Sequence, residues 1–140
     1  MLIPDVNVLV YAHRDDSEHH VVCKRWLEDR VNGAEIVGLP PLVLSGFIRV
    51  VTNPKAFRTP SSIEQALSVA ERLTQHPNCV ILQPGTRHWN IFTSLCRTSG
   101  ARGNLVPDAY YAALAIEANA TWVTFDGGFG RFPGLTWRRP

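Results

Sequence analysis

The sequence predicts an α/β fold, with a central parallel sheet of four to five strands covered on both faces by helices in three α/β/α layers. Two observations carry this reading. Short apolar segments of strand length alternate with longer segments of helical periodicity along the whole chain, and such alternation implies right-handed crossovers between parallel neighbours. Three aspartates, Asp5, Asp108 and Asp126, also fall where apolar segments give way to polar or turn residues. Their surroundings are Leu2-Ile3-Pro4-Asp5-Val6-Asn7, Leu105-Val106-Pro107-Asp108-Ala109 and Trp122-Val123-Thr124-Phe125-Asp126-Gly127-Gly128. Ligands of parallel sheets bind beyond the carboxyl ends of the strands. The pattern therefore gathers carboxylates at one sheet edge, as a site for a hard cation such as Mg²⁺.

The elements follow in order. Leu2 to Asp5 reads as a buried strand, and Val6 to His13 as a short helix or turn leaving it. Asp15 and Glu18 stand at capping-box spacing, and Val22, Trp26 and Leu27 recur at helical spacing, so a helix runs from there to about Arg30, ended by Gly33. Glu35 to Leu39 is a second strand. Pro40-Pro41 opens a helix that runs to about Thr52 and is stopped by Asn53-Pro54. Ser61 or Ser62 caps the next helix, which carries Ala66, Leu67, Val69, Ala70 and Leu73 and ends before His76-Pro77. Cys79 to Leu82 is a third strand, and Thr86 is placed to cap a helix bearing Trp89, Phe92, Leu95 and Cys96. Beyond the Gly100 to Gly103 loop, Pro107 suits a first helical turn and Ala109 to Ala120 is alanine-rich. Thr121 to Phe125 is a fourth strand, and Leu135 to Arg138 a short fifth.

The 140 residues make one domain, 1–140, large enough to bury a core without disulfide or metal support. The three cysteines, Cys23, Cys79 and Cys96, are odd in number and lack C-x-x-C spacing, which reads as reduced core residues of a cytoplasmic protein. No apolar run approaches the roughly 18 residues of a membrane span. The net charge of +2 is too small to predict nucleic-acid binding, but twelve of the fourteen basic residues are arginine, whose planar fork suits phosphate. His13, His19 and His20 lie near Asp15 and Asp16, yet no second ligand group at zinc spacing follows. They read as a solvated loop and helix start.

Each aspartate has a structural reading as well as a chemical one. Asp108 suits a helix start, Asp126 a turn before two glycines, and Asp5 the backbone amides after the first strand. Asp5 is the hardest to explain structurally, because a carboxylate at the end of a buried apolar strand carries a desolvation cost that a divalent cation would offset. Together the three suit hydrolysis of a phosphodiester by metal-activated water. No Ser/His/Asp or Cys/His order is evident.

The strings Pro4-Asp5-Val6-Asn7-Val8-Leu9-Val10-Tyr11-Ala12, Phe47-Ile48-Arg49-Val50-Val51-Thr52-Asn53-Pro54, Asn104-Leu105-Val106-Pro107-Asp108-Ala109 and Thr124-Phe125-Asp126 resemble the PIN-domain ribonucleases of the VapC toxin type. The likeness spans essentially the whole chain in the family's order. It implies the PIN fold, Mg²⁺ or Mn²⁺ dependence, endoribonuclease activity on transfer or ribosomal RNA, homodimerisation, and neutralisation by a VapB antitoxin. On that pattern Asp5, Asp108 and Asp126 are the catalytic acids, Asp5 and Asp108 hold one Mg²⁺, and Asn7 accompanies the first acid. Arg14, by its closeness to Asp5, and Arg49, by the resemblance, are the arginines placed nearest the pocket, and with Asn7 they are the candidate substrate-binding residues.

Two departures stand out. The family usually has a glutamate where this chain has Gly46, and often an acid where it has Gly128. Gly46 reads as serving close packing or substrate approach. The missing acids motivate an alternative, a PIN-like module that binds RNA or antitoxin without cutting. A phosphotransfer domain ranks below both, because neither Lys24 nor Lys55 follows a core strand. Tyr110-Tyr111 and the tryptophans can stack on bases, but at least one of the tyrosines reads as core or dimer interface.

Overall fold

A computed structural model describes residues 1–140. Five strands, β1 (Leu2–Pro4), β2 (Val37–Leu39), β3 (Cys79–Ile81), β4 (Thr121–Val123) and β5 (Thr136–Arg138), form one sheet in the order β3-β2-β1-β4-β5. Every pairing is parallel. The connections are α1 (Val6–His13), α2 (His20–Val31), α3 (Pro41–Val51), α4 (Ile63–Gln75), α5 (His88–Ser99), α6 (Leu105–Glu117) and a 3-10 turn (Gly127–Arg131). From β1 the chain steps outward through β2 to β3, then returns to the other side of β1 for β4. The switch point of the sheet thus lies between β1 and β4, where a parallel topology opens its crevice.

Strand periodicity divides the core between the two faces. Ile3 and Trp122 join the larger cluster, with Phe47 of α3 and Ala109, Ala112 and Ala113 of α6. Their neighbours Leu2 and Val123 point the other way, into a second cluster with Val8, Cys23 and Trp26. Burial on both faces explains why the strands read as continuous apolar runs rather than alternating ones. The ladder continues one residue past the central strands, since Asp5 N donates to Val123 O at 2.8 Å and Thr124 N to Arg138 O at 3.0 Å.

Several boundaries differ from the sequence reading, each for a local reason. No capping box forms between Asp15 and Glu18: α2 starts at His20, and Asp16 is held instead by Arg14, with Nε and Nη2 donating at 2.9 and 2.6 Å. Thr86 does not cap α5, whose N-cap is Arg87. The Glu117 carboxylate, at the end of α6, holds that loop by accepting from Gly85 N at 2.7 Å and Arg87 N at 2.8 Å. Between the two serines, Ser62 is the cap of α4, with a reciprocal box to Gln65. The last alanine-rich helix starts two residues before Pro107 and stops at Glu117, beyond which Asn119 turns left-handed with φ 49°. β4 ends at Val123, leaving Thr124, Phe125 and Asp126 in the turn that follows. All three cysteines are free thiols, but only Cys23 and Cys79 are buried; Cys96 is half-buried.

Candidate active site

Asp5 ends β1 and caps α1, its backbone extended at φ −68° and ψ 161°. Oδ1 accepts the Val6 amide at 2.6 Å. Oδ2 accepts two donors from across the switch point and from its own helix, Thr124 Oγ1 at 2.5 Å and Asn7 Nδ2 at 2.9 Å. The Thr124 hydroxyl in turn accepts the Asp126 amide at 3.0 Å and the second Asn7 Nδ2 proton at 3.0 Å. Asn7 Oδ1 accepts the Phe125 amide at 3.4 Å. Asn7 and Thr124 therefore lace the end of β1 to the end of β4. Asn7 spends its side chain on this brace.

Asp126 caps the 3-10 turn, with Gly128 N donating to its Oδ1 at 2.7 Å. A Cβ on Gly128 would lie 2.9 Å from that same oxygen, so glycine at this departure from the family pattern is what the turn needs. Asp108 lies in the first turn of α6, half-buried, and its carboxylate accepts no hydrogen bond from the chain.

The electrostatics bind these groups together. Burial raises the Asp5 carboxyl from 3.8 to about 6; its hydrogen bonds to Thr124 and Val6 pull the other way, and the charges of Asp108 and Asp126 add to the rise. Asp108 is raised by burial and then by Asp126, while Arg131 lowers it. Asp5 and Asp108 thus both feel neighbouring carboxylates, as expected of acids crowded at one sheet edge. No three His, Cys, Asp or Glu side chains close into a ready-made metal cage. The donor set nevertheless suits a hard cation. A carboxylate has about four lone-pair directions and Asp5 uses three, leaving one free, while Asp108 is wholly free. Mg²⁺ needs only one or two carboxylates and keeps most of its waters.

Two residues of this site, Thr124 and Arg131, carried no assigned role in the sequence reading, and Tyr111, expected to stack on bases or to pack in the core or dimer interface, is coupled to it. Thr124 is fully buried and bonds Asp5 directly. Its signal was present, a hydroxyl ending a buried strand two residues before an acid. Arg131 acts on Asp108 and anchors the turn through Nε to Gly128 O at 2.9 Å. Tyr111 stacks on Trp122 with centroids 5.3 Å apart, and its hydroxyl is raised by burial and by Asp5, with Arg49 opposing. Arg49 is exposed in the last turn of α3, and its charge reaches the site through Tyr111. Arg14 forms no ion pair with any of the three aspartates. It is tied to Asp16 and to Thr59 O at 2.9 Å, and lies 4.2 Å over the Phe57 ring.

The histidines also differ from the solvated loop expected of them. His13 Nε2 lies 2.9 Å from Ser61 Oγ, His20 Nδ1 lies 3.0 Å from Tyr11 O, and His19 stacks on Phe125. The chain folds α2 back over α1, which sequence proximity to Asp15 and Asp16 did not reveal.

Gly46 resolves as a packing residue. A Cβ there would lie 2.8 Å from Val6 Cγ2, where α3 crosses α1 one residue from Asp5. A valine in a helix has one strongly preferred rotamer and cannot swing aside cheaply. Gly46→Ala is therefore expected to cost about 1–3 kcal/mol of overpacking, against the roughly 1 kcal/mol that alanine gains in helix propensity. The urea midpoint should fall; an unchanged or higher midpoint would show that α1 and α3 separate freely.

An all-parallel sheet whose switch point gathers carboxylates from three chain segments defines a small α/β domain with an acidic edge. A family model described as the PIN domain matches residues 2–135. Ribonuclease VapC43 of Mycobacterium tuberculosis (strain H37Rv) is 48% identical over 140 residues, covering 100% of this chain and 95% of the relative. Ribonuclease VapC37 of the same strain is 39% identical, covering 100% and 97%. Among solved structures, VapBC2 from Rickettsia felis bound to a promoter DNA fragment superposes with a TM-score of 0.70 at 20% identity, covering 99% of this chain and 98% of the other. The chain belongs to the PIN-domain family, in its VapC branch.

Proposed function

We propose that this protein is the toxin of a toxin–antitoxin pair and a divalent-metal-dependent endoribonuclease, acting in the cytoplasm and held in check by a VapB-type antitoxin. The observation that carries the reading is Asp5, a buried carboxylate facing two others across the switch point, with one lone pair left uncommitted. The relatives are named ribonucleases, and the R. felis neighbour is a VapBC complex.

Asp5 and Asp108 would hold Mg²⁺, with Mn²⁺ as a substitute. When bound, the ion supplies a water of lowered pKa and neutralises charge developing on the phosphate. The chain's own groups prepare that event. Thr124, Asn7 and the Val6 amide fix both Asp5 oxygens, so the carboxylate does not reorganise as substrate arrives. Asp126, fixed by Gly128, contributes negative charge that draws a cation to the site, and the cation would then offset its repulsion of the Asp5 charge. Arg131, exposed beside Asp108, is placed to meet a phosphate oxygen.

The purified protein is expected to cut RNA internally in Mg²⁺ and to stop on chelation, with activity restored by added Mg²⁺ or Mn²⁺. Mapping the new RNA 5′ ends after brief expression identifies the substrate. Cleavage persisting in excess chelator would refute metal dependence, and RNA binding without any cleavage would favour the non-cutting module.

A further inference from the structure

We propose that His19 and Phe125 form a stacking platform for the nucleobase next to the scissile phosphate. The inference rests on the ribonuclease reading above and adds a positioning element to it. The two rings lie parallel, centroids 4.3 Å apart at 16°. Tyr11 closes the stack from the side, 5.6 Å from Phe125 at 72° and 5.2 Å from His19 at 56°.

The pair sits against the acidic centre. Phe125 lies between Thr124, whose hydroxyl bonds Asp5, and Asp126, and its amide is held by Asn7. A base resting on this stack would have its own phosphate at the carboxylate edge. His19 is also open. Its side chain is 38% exposed although Phe125 stacks on it and Tyr11 packs beside it, and Glu18 Oε1 lies 3.5 Å from Nε2. Nor is the imidazole used to start its helix, for His19 stands at the N-cap of α2 without a side-chain cap bond.

The chemistry of the site calls for such an element. Carboxylates and a cation recognise only the phosphate, and they leave the nucleotide free to rotate about it. Aromatic stacking fixes a base while tolerating its identity, because every base offers a π-face. A partly exposed histidine stacked on a phenylalanine offers such a surface beyond the end of β4.

The test compares labelled oligoadenylate with the same ribose-phosphate chain lacking its bases, by fluorescence anisotropy in Mg²⁺. The protein carries Asp108→Asn so that the probe is not cut. His19→Ala is expected to weaken binding of the base-bearing chain about 5- to 100-fold, in line with the known worth of one stacked base. Binding of the base-free chain should stay unchanged, and His19→Tyr should restore the difference. A merely structural role lowers the melting temperature and weakens both probes alike, which would overturn the proposal. Equal affinity of the parent and His19→Ala for oligoadenylate would overturn it too, while cleavage by the unsubstituted protein keeps the ribonuclease reading intact. If the unsubstituted protein cuts no RNA, both fall.

Discussion

Asp5→Asn is expected to abolish RNA cleavage and, in metal-free protein at neutral pH, to make the fold more stable. The two effects have one cause. The folded-state pKa of Asp5, about 6, lies above the ordinary 3.8 because burial penalises the charged form. A raised carboxyl contributes stability that is complete below the unfolded value and is lost as pH climbs through the folded one. Between about pH 4 and 6 the metal-free protein therefore loses stability on account of this group, of order 3 kcal/mol at about 1.4 kcal/mol per unit. Asparagine is neutral throughout and caps a helix as well as aspartate does, so the Val6 amide keeps its partner, while the new Nδ2 faces the Asn7 amide that donated to Oδ2 and gives back part of the gain. With chelator present, the variant should melt up to about 10 °C above the parent at pH 7.5 and below it near pH 4. Cleavage should fall by at least about 100-fold, as the metal-holding role proposed for Asp5 requires. A variant no more stable than its parent at pH 7.5 would mean that the buried charge is already compensated by the chain.

The same residue shows how much of the fold and site was legible in the sequence. Asp5 announced itself because a charge directly after Leu2-Ile3-Pro4 has no apolar explanation. The parallel sheet followed from alternation alone, and strand β5 from a short apolar segment. Boundaries failed where a distant or neighbouring side chain intervened. Arg14 captured Asp16, and Glu117 came from the far end of α6 to hold the loop before α5. Gly46 and Gly128 looked like missing acids in one dimension. In three, one lies under Val6 and the other under the carboxylate of Asp126. Thr124 and His19 stayed without a function because their partners, Asp5 and Phe125, lie more than a hundred residues away in sequence.

Thr124→Val should separate the bracing of the site from its charge. Valine keeps the shape but removes one hydroxyl that donates to Asp5 and accepts from both Asp126 N and Asn7 Nδ2. Three partners are left short at a buried position, and hydrogen bonds to charged groups are worth roughly 1.5–3 kcal/mol. The sign for Asp5 is definite. Thr124 holds its pKa down, so losing the hydroxyl lifts it further and keeps more of the carboxyl protonated near neutrality. Protons then compete better with the cation. The apparent Mg²⁺ affinity and the cleavage rate should drop about 10- to 100-fold, as for other residues that orient a metal ligand, and the deficit should widen as pH falls. Thr124→Ser retains the hydroxyl and should recover most of the rate. The decisive measurement is the Mg²⁺ dependence of cleavage at two pH values. A Thr124→Val deficit independent of pH would assign the residue to packing alone, whereas a deficit that shrinks at higher pH places its hydroxyl in control of the carboxylate on which the site depends.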